Sequence, residues 1–319
     1  MRPVKRLALL SALLVVACAP RPLVTLPDAN GGDDPADAGG GPDAGPVCGC
    51  EQWGNPRNLG AIEAPLVELS GLVASRTQPG LFFAHNDSGD GPRFFALSSE
   101  GRVLETYELP GATAVDWEEL TVMPCAAGSC LVIGDFGDNR RARTDYALYV
   151  VAEPVVGQGG TRNVSFEKVP FEYPGGVKHN AEAMFAHPVS GRVYVVTKPD
   201  VGQSEVFRFP APLPTAGTAV LERVAGLTVP AASDRPLTGA AVNPCGTAVL
   251  LRLYNRLVEL RLPEGEADFE RIFTVEPVTV PSAQEPQGEA VTYGADGRSY
   301  FTASEKLVDP PPLYGHLCR

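Results

Sequence analysis

Three short segments place carboxylates directly ahead of apolar runs. "DWEELTV" sets Asp116, Glu118 and Glu119 before Leu120, "NAEAMFA" sets Glu182 before Met184, and "GEAVTYG" sets Glu289 before Val291. Carboxylates that converge at the edge of a core repel one another and resist desolvation unless a cation or hydrogen-bond donors compensate them. Hard oxygen donors in a chain with 4 histidines suit calcium better than zinc or copper. Glu118, Glu182 and Glu289 are therefore candidate metal ligands. They have a structural use as well, accepting hydrogen bonds from backbone amides of neighbouring repeats.

Further groups extend this chemistry. "GDFGDNRRAR" adds Asp135 and Asp138 as metal donors beside Arg140, Arg141 and Arg143, a set suited to a phosphoester or, more plainly, to a solvated loop tip with internal ion pairs. "KHNAE" sets His179 three residues before Glu182, the spacing of a general base and its partner, or of a capped loop histidine. Metal-assisted hydrolysis would use His179 as base with Arg140 or Arg252 on the anion. "HNDSGDG" offers His85, Asn86 and Asp87 as ligand contacts; Leu97 stands where a calcium loop of the EF-hand type needs Glu, so the segment reads as an Asp-Gly turn. Asn180, Lys198 and Lys306 complete the polar ligand-contact set. Trp117 is either a ligand platform or packing between repeats. No G-x-S-x-G, H-E-x-x-H or Walker segment is present, which removes the serine-hydrolase, zinc-protease and P-loop readings.

The elements that must position these residues repeat. "LSGLVAS", "DWEELTV", "NAEAMFA", "LTGAAVN" and "GEAVTYG" each run from a small or polar start into a short apolar strand, and align on Ser70, Glu118, Glu182, Ala240 and Glu289 at intervals of roughly 50 to 60 residues. A second, more apolar strand follows each, as in "CLVIGD" and "RVYVVT". Continuous apolar runs imply strands covered on both faces, helical periodicity is nearly absent, and 31 prolines and 34 glycines punctuate the turns. The prediction is an all-β chain folded as a β-propeller of five blades, with six if a long interval hides a degenerate one. "RNLGAIEAPLVEL" is expected to join the last blade and close the ring. Inner-strand starts and second-strand ends then share one polar face, and bland turns occupy the other.

The N-terminal part belongs elsewhere. Residues 1–17 have a basic start, an apolar stretch and "VVAC", the pattern of a signal peptide ending in a bacterial lipobox. Cys18 is expected to carry lipid, and Ala19 favours the outer membrane, facing periplasm or surface. Residues 18–47, rich in Pro, Gly, Ala and Asp, read as a flexible acidic tether, and 48–319 as the folded body. A formal charge of −12 gives no electrostatic case for nucleic acid or anionic headgroups, so the lipid supplies membrane attachment. The expected partner is a small anionic ligand or an envelope protein, bound by a single protomer. Of the six other cysteines, Cys125 and Cys130 are paired by proximity, while Cys48, Cys50, Cys245 and Cys318 admit three pairings.

Taken together, "ELSGLVAS", "HNDSG", "DWEEL", "GDFGDN", "AEAM" and "GEAVTYGADGRSYFTASE" resemble a group of bacterial β-propeller lipoproteins related to the phytase-like esterase and SdiA-regulated propeller families. The likeness covers roughly residues 56 to 314. It implies calcium binding and, for some members, ester or phosphoester hydrolysis, with Glu118, Glu182, Glu289, Asp135 and Asp138 as the residues carried over. Ser70 and Ala240 depart from the acidic series.

Overall fold

Alternate side chains of one strand show the architecture. Along Val193–Thr197, Val193 and Val195 pack with Val132 and Leu148, while Tyr194 and Val196 pack with Val242 and Leu251. A strand apolar on both faces is sandwiched between sheets, which explains the unbroken run in its sequence. In the computed structural model, which describes residues 48–200, 202–229, 236–305 and 310–319, the same arrangement recurs at every sheet.

Five sheets surround a central axis, and the chain is a five-bladed β-propeller. Their innermost strands are Leu69–Ala74, Trp117–Cys125, Ala181–Ala186, Leu237–Val242 and Gly288–Tyr293, and each contacts the next around the ring, the fifth returning to the first. The five buried clusters correspond to the five junctions between adjacent blades. At the hub, the buried side chains of Leu72, Leu120, Ala240, Val242 and Val291 line a void of about 10 Å³. The axis is a packed plug, so its two mouths are separate chambers.

Ring closure follows the prediction. Arg57–Ala61 pairs antiparallel with Pro312–Leu317 as the outermost strand of the fifth blade. The long intervals are spent on strand exchange instead of a sixth blade. Gly160–Asn163, from the second blade's sequence, pairs parallel with Val103–Glu108 of the first, and Ala219–Val220, from the third, pairs parallel with Glu167–Glu172 of the second. Each exchange stitches neighbours together at the rim and covers an otherwise open sheet edge.

Three disulfides, Cys48–Cys245, Cys50–Cys318 and Cys125–Cys130, all lie on the face where inner strands end and second strands begin. The local pair is the one read from sequence. Among the described residues no helix is long and apolar enough to cross a membrane. Cys18 and residues 1–47 lie outside the described residues, as does Lys306.

Candidate functional site

Every inner strand carries a register shift near its start: between Leu69 and Leu72, Trp117 and Glu119, Ala181 and Ala183, Leu237 and Gly239, and Gly288 and Ala290. The extra residue of such a bulge leaves the ladder and its side chain is re-aimed. In the second, third and fifth blades that residue is Glu118, Glu182 or Glu289. In the first it is Ser70, whose hydroxyl donates to the Glu118 carbonyl at 2.6 Å; in the fourth it is Thr238, donating to the Gly288 carbonyl at 2.7 Å. Thr238 therefore occupies the slot that sequence alignment assigned to Ala240.

The three glutamates meet at one mouth of the axis. Carboxylate oxygens of Asp87, Asp116 and Glu118 lie within 4.8 Å of one another. Burial, then Glu182, Asp87 and Asp116, push the Glu118 carboxyl well above its ordinary range. Burial also raises Glu182, although the paired Lys198 ammonium pulls the other way. Glu289 is pushed up to about 9, by burial and then by Glu182, and Asp116 to about 6, by burial and then by Asp87. Glu305, raised by burial and by Asp87, belongs to the same field. Lys198 is the cation placed among these acids, donating to Glu182 and, at 2.8 Å, to the Tyr254 hydroxyl. Among the described residues one ammonium stands among six carboxylates, with Arg143 acting on Asp116 as well, and the raised carboxyl groups show that repulsion and burial outweigh both.

The loop after the second blade's second strand shapes this chamber. The amides of Phe136 and Gly137 donate to the Asp116 carbonyl at 3.2 and 3.1 Å. A Cβ on Gly137 would stand 2.0 Å from Glu118 Oε1 and 2.5 Å from Asp116 Oδ2, so glycine is what lets the loop lie against the carboxylates.

The remaining candidates have other settings. Asp135 accepts from the Asp116 amide at 3.0 Å and from Arg143 at 2.7 Å, and so clamps the segment entering the second blade. Asp138 accepts from the Tyr146 hydroxyl at 2.6 Å and from the Ala142 and Arg143 amides at 2.9 Å; burial raises its pKa, but these donors outweigh it and hold the carboxyl low. Asn180 ties Asp138 to the third blade, accepting from its amide at 2.8 Å. Asn86 accepts from the Val67 and Glu68 amides and donates to Asp90. His85, fully buried, donates from Nδ1 to the Asn86 carbonyl and meets Trp117 edge-on, and Trp117 packs between the first two blades. His179 lies on the rings of Tyr173 and Phe207 at 4.7 and 5.0 Å; among the described residues it has no hydrogen bond to a carboxylate. Arg252 is fully buried beside Glu285 at 2.8 Å, with its guanidinium against Gly288. Arg140 is exposed on the loop tip.

Glu119, adjacent to the rim residue in sequence, does something different. Its side chain turns into the axis, where Oε1 accepts from the Leu120 amide at 3.0 Å and Oε2 from the Ala240 amide at 3.1 Å. It braces the second blade against the fourth, the ring-locking use that the sequence left open for Glu118, Glu182 and Glu289.

Fold and site together define a five-bladed β-propeller with an acid-rimmed mouth. No family model and no curated protein matches the chain. Among solved structures, the chain is similar to a Kuenenia stuttgartiensis hydrazine synthase at 11% identity and TM-score 0.41, covering 74% of this chain and 68% of that one. It is also similar to the β-propeller domain of Myceliophteria thermophila Cps50 (Swd1) at 12% identity and TM-score 0.41, covering 83% and 98%.

Proposed function

We propose that this chain is a lipid-anchored envelope propeller of the bacterial outer membrane that binds calcium at its acid mouth and holds a small anionic ligand or envelope partner there. One observation carries the reading. Asp87, Asp116 and Glu118 bring carboxylate oxygens within 4.8 Å of one another, with no ion pair to any of the three among the described residues. The donor set is all oxygen, Gly137 leaves the space a Cβ would fill, and Glu182 and Glu289 add carboxyl groups from neighbouring blades. A bound divalent cation would supply the missing charge and an attachment point for an anionic group. The anchor rests on the "VVAC" segment and Cys18, and kinship with the phytase-like propellers rests on the quoted motifs.

Metal-assisted ester or phosphoester hydrolysis on the same face is the second reading. Lys198 beside the acids favours it, as a cation able to meet an anionic substrate.

Calorimetric titration with calcium tests the first reading. The expectation is saturable binding with Kd at or below about 1 mM, the range of extracellular calcium modules, weakened at least about tenfold in both Glu118→Gln and Gly137→Ala. Absence of binding heat and of any calcium-induced thermal shift would remove the site. Turnover of an ester or phosphoester panel that is lost with chelator and in Glu182→Gln would select hydrolysis.

A further inference from the structure

The opposite mouth of the axis contains a funnel that the acid chamber does not use. All five blades line it: Arg76 from the first, Pro124 and Ser129 from the second, Pro188, Pro244 and Ala295 from the other three. Its volume is about 290 Å³, near the lower end of small-molecule sites. The prolines and Ala295 give it an apolar wall. Two polar groups break that wall: among the described residues Arg76 Nη1 and Ser129 Oγ are enclosed without a hydrogen bond, and Ser129 is 8% exposed. Burial lowers the Arg76 pKa, and the nearest opposing charge, Glu153, raises it again. No ion pair joins Arg76 and Glu153 among the described residues. Glu153 Oε1 is engaged by Ser75 and by the Thr77 hydroxyl at 2.8 Å, and its Oε2 is buried without a hydrogen bond. Arg76 also lines the hub void.

Buried donors without acceptors are costly, and the favourable way to satisfy a guanidinium and a hydroxyl together is a planar anion with two oxygens. We infer that this funnel is a second binding site, for a small carboxylate whose short apolar tail rests on the proline wall. The head accepts from Arg76 and Ser129, and the tail covers Pro124, Pro188 and Pro244. The plugged hub makes this site independent of calcium at the other mouth.

Butyrate, titrated into the full-length protein while the backbone amide signals of Ser129 and Ala295 are followed by NMR, tests the inference. Saturable shifts at these amides are expected, with Kd below about 1 mM, weaker shifts with butanol, and at least tenfold weakening in Arg76→Gln. Arg76→Lys, which keeps the charge, reports on folding and should retain part of the affinity, and Glu118→Gln should leave it unchanged. Shifts absent in the wild-type protein, or equal in wild type and Arg76→Gln, would overturn the site. Equal response to inorganic phosphate would overturn the carboxylate assignment.

Discussion

The two mouths of the axis are built from the same strands and have opposite chemistry. At one, bulged strand starts project Glu118, Glu182 and Glu289 into a chamber that includes Asp87 and Asp116. At the other, tight turns carry prolines, three disulfides and the half-buried guanidinium of Arg76. The first accumulates repulsion that folding alone does not relieve. The second accumulates covalent and apolar restraint. The contrast teaches that in this propeller restraint gathers at the turn end while electrostatic strain gathers at the acid end, the pattern expected where a rigid scaffold holds an unfavourable arrangement.

Breaking the stapled end tests this division with the largest expected effect. Cys50 and Cys318 are 268 residues apart, so their bond closes nearly the whole ring. Cys50→Ser with Cys318→Ser should lower unfolding free energy by about 5 kcal/mol in the chain-entropy picture, against about 2 kcal/mol for Cys125→Ser with Cys130→Ser. Denaturant melts measure both. Calcium affinity should be unchanged in each variant that remains folded; a parallel loss would show that the two ends are not separable.

Glu119 sharpens the comparison, because it sits beside the acid rim and serves the scaffold. Glu119→Ala strips the acceptor from the Leu120 and Ala240 amides inside the plug. A loss of about 1–3 kcal/mol is expected from the unsatisfied donors, again with calcium affinity retained. Thermal unfolding with and without calcium separates this outcome from that of Glu118→Gln, which should reduce the calcium-induced shift and leave apo stability equal or higher.

Much of this was legible in the chain. The five apolar strand starts, the closing strand at Arg57–Ala61 and the Cys125–Cys130 pair are local patterns, and local patterns survive folding. The bulge was not legible: it adds one residue without changing composition, which is why Ala240 stood in for Thr238. Nor were the exchanged strands Gly160–Asn163 and Ala219–Val220, short polar pieces whose partners belong to another blade. The same limit applies to carboxylates. "WEE" does not reveal that Glu118 leaves the ladder for the rim while Glu119 enters the axis. "GDFGDN" does not reveal that Asp135 and Asp138 meet loop amides and Arg143. Which donors a carboxylate meets is decided by tertiary approach, and Gly137 marked that approach only as an unremarked glycine.

The smallest effect concerns protons at the acid end. Glu289 titrates near 9 in the fold, well above an unfolded glutamate, because burial and Glu182 disfavour its charge. A proton thus binds the native state more tightly than the unfolded one. Stability from this group is fully present below about pH 4.5, falls as pH rises toward about 9, and is level beyond. Asp116, raised to about 6, adds a shorter decline over the acidic part of that window. In chelator, the melting temperature of the wild-type protein should therefore fall between about pH 5 and pH 9. Glu289→Gln should flatten the decline and gain on the order of 1 kcal/mol near neutral pH, taken well below the full shift because water screens the mouth on its open side. Calcium should flatten it too, by holding the carboxylates ionised in the native state, so its stabilisation grows with pH. A pH profile identical in wild type and Glu289→Gln would mean that the rim is relaxed by water alone, and the opposition between the two mouths would lose its energetic basis.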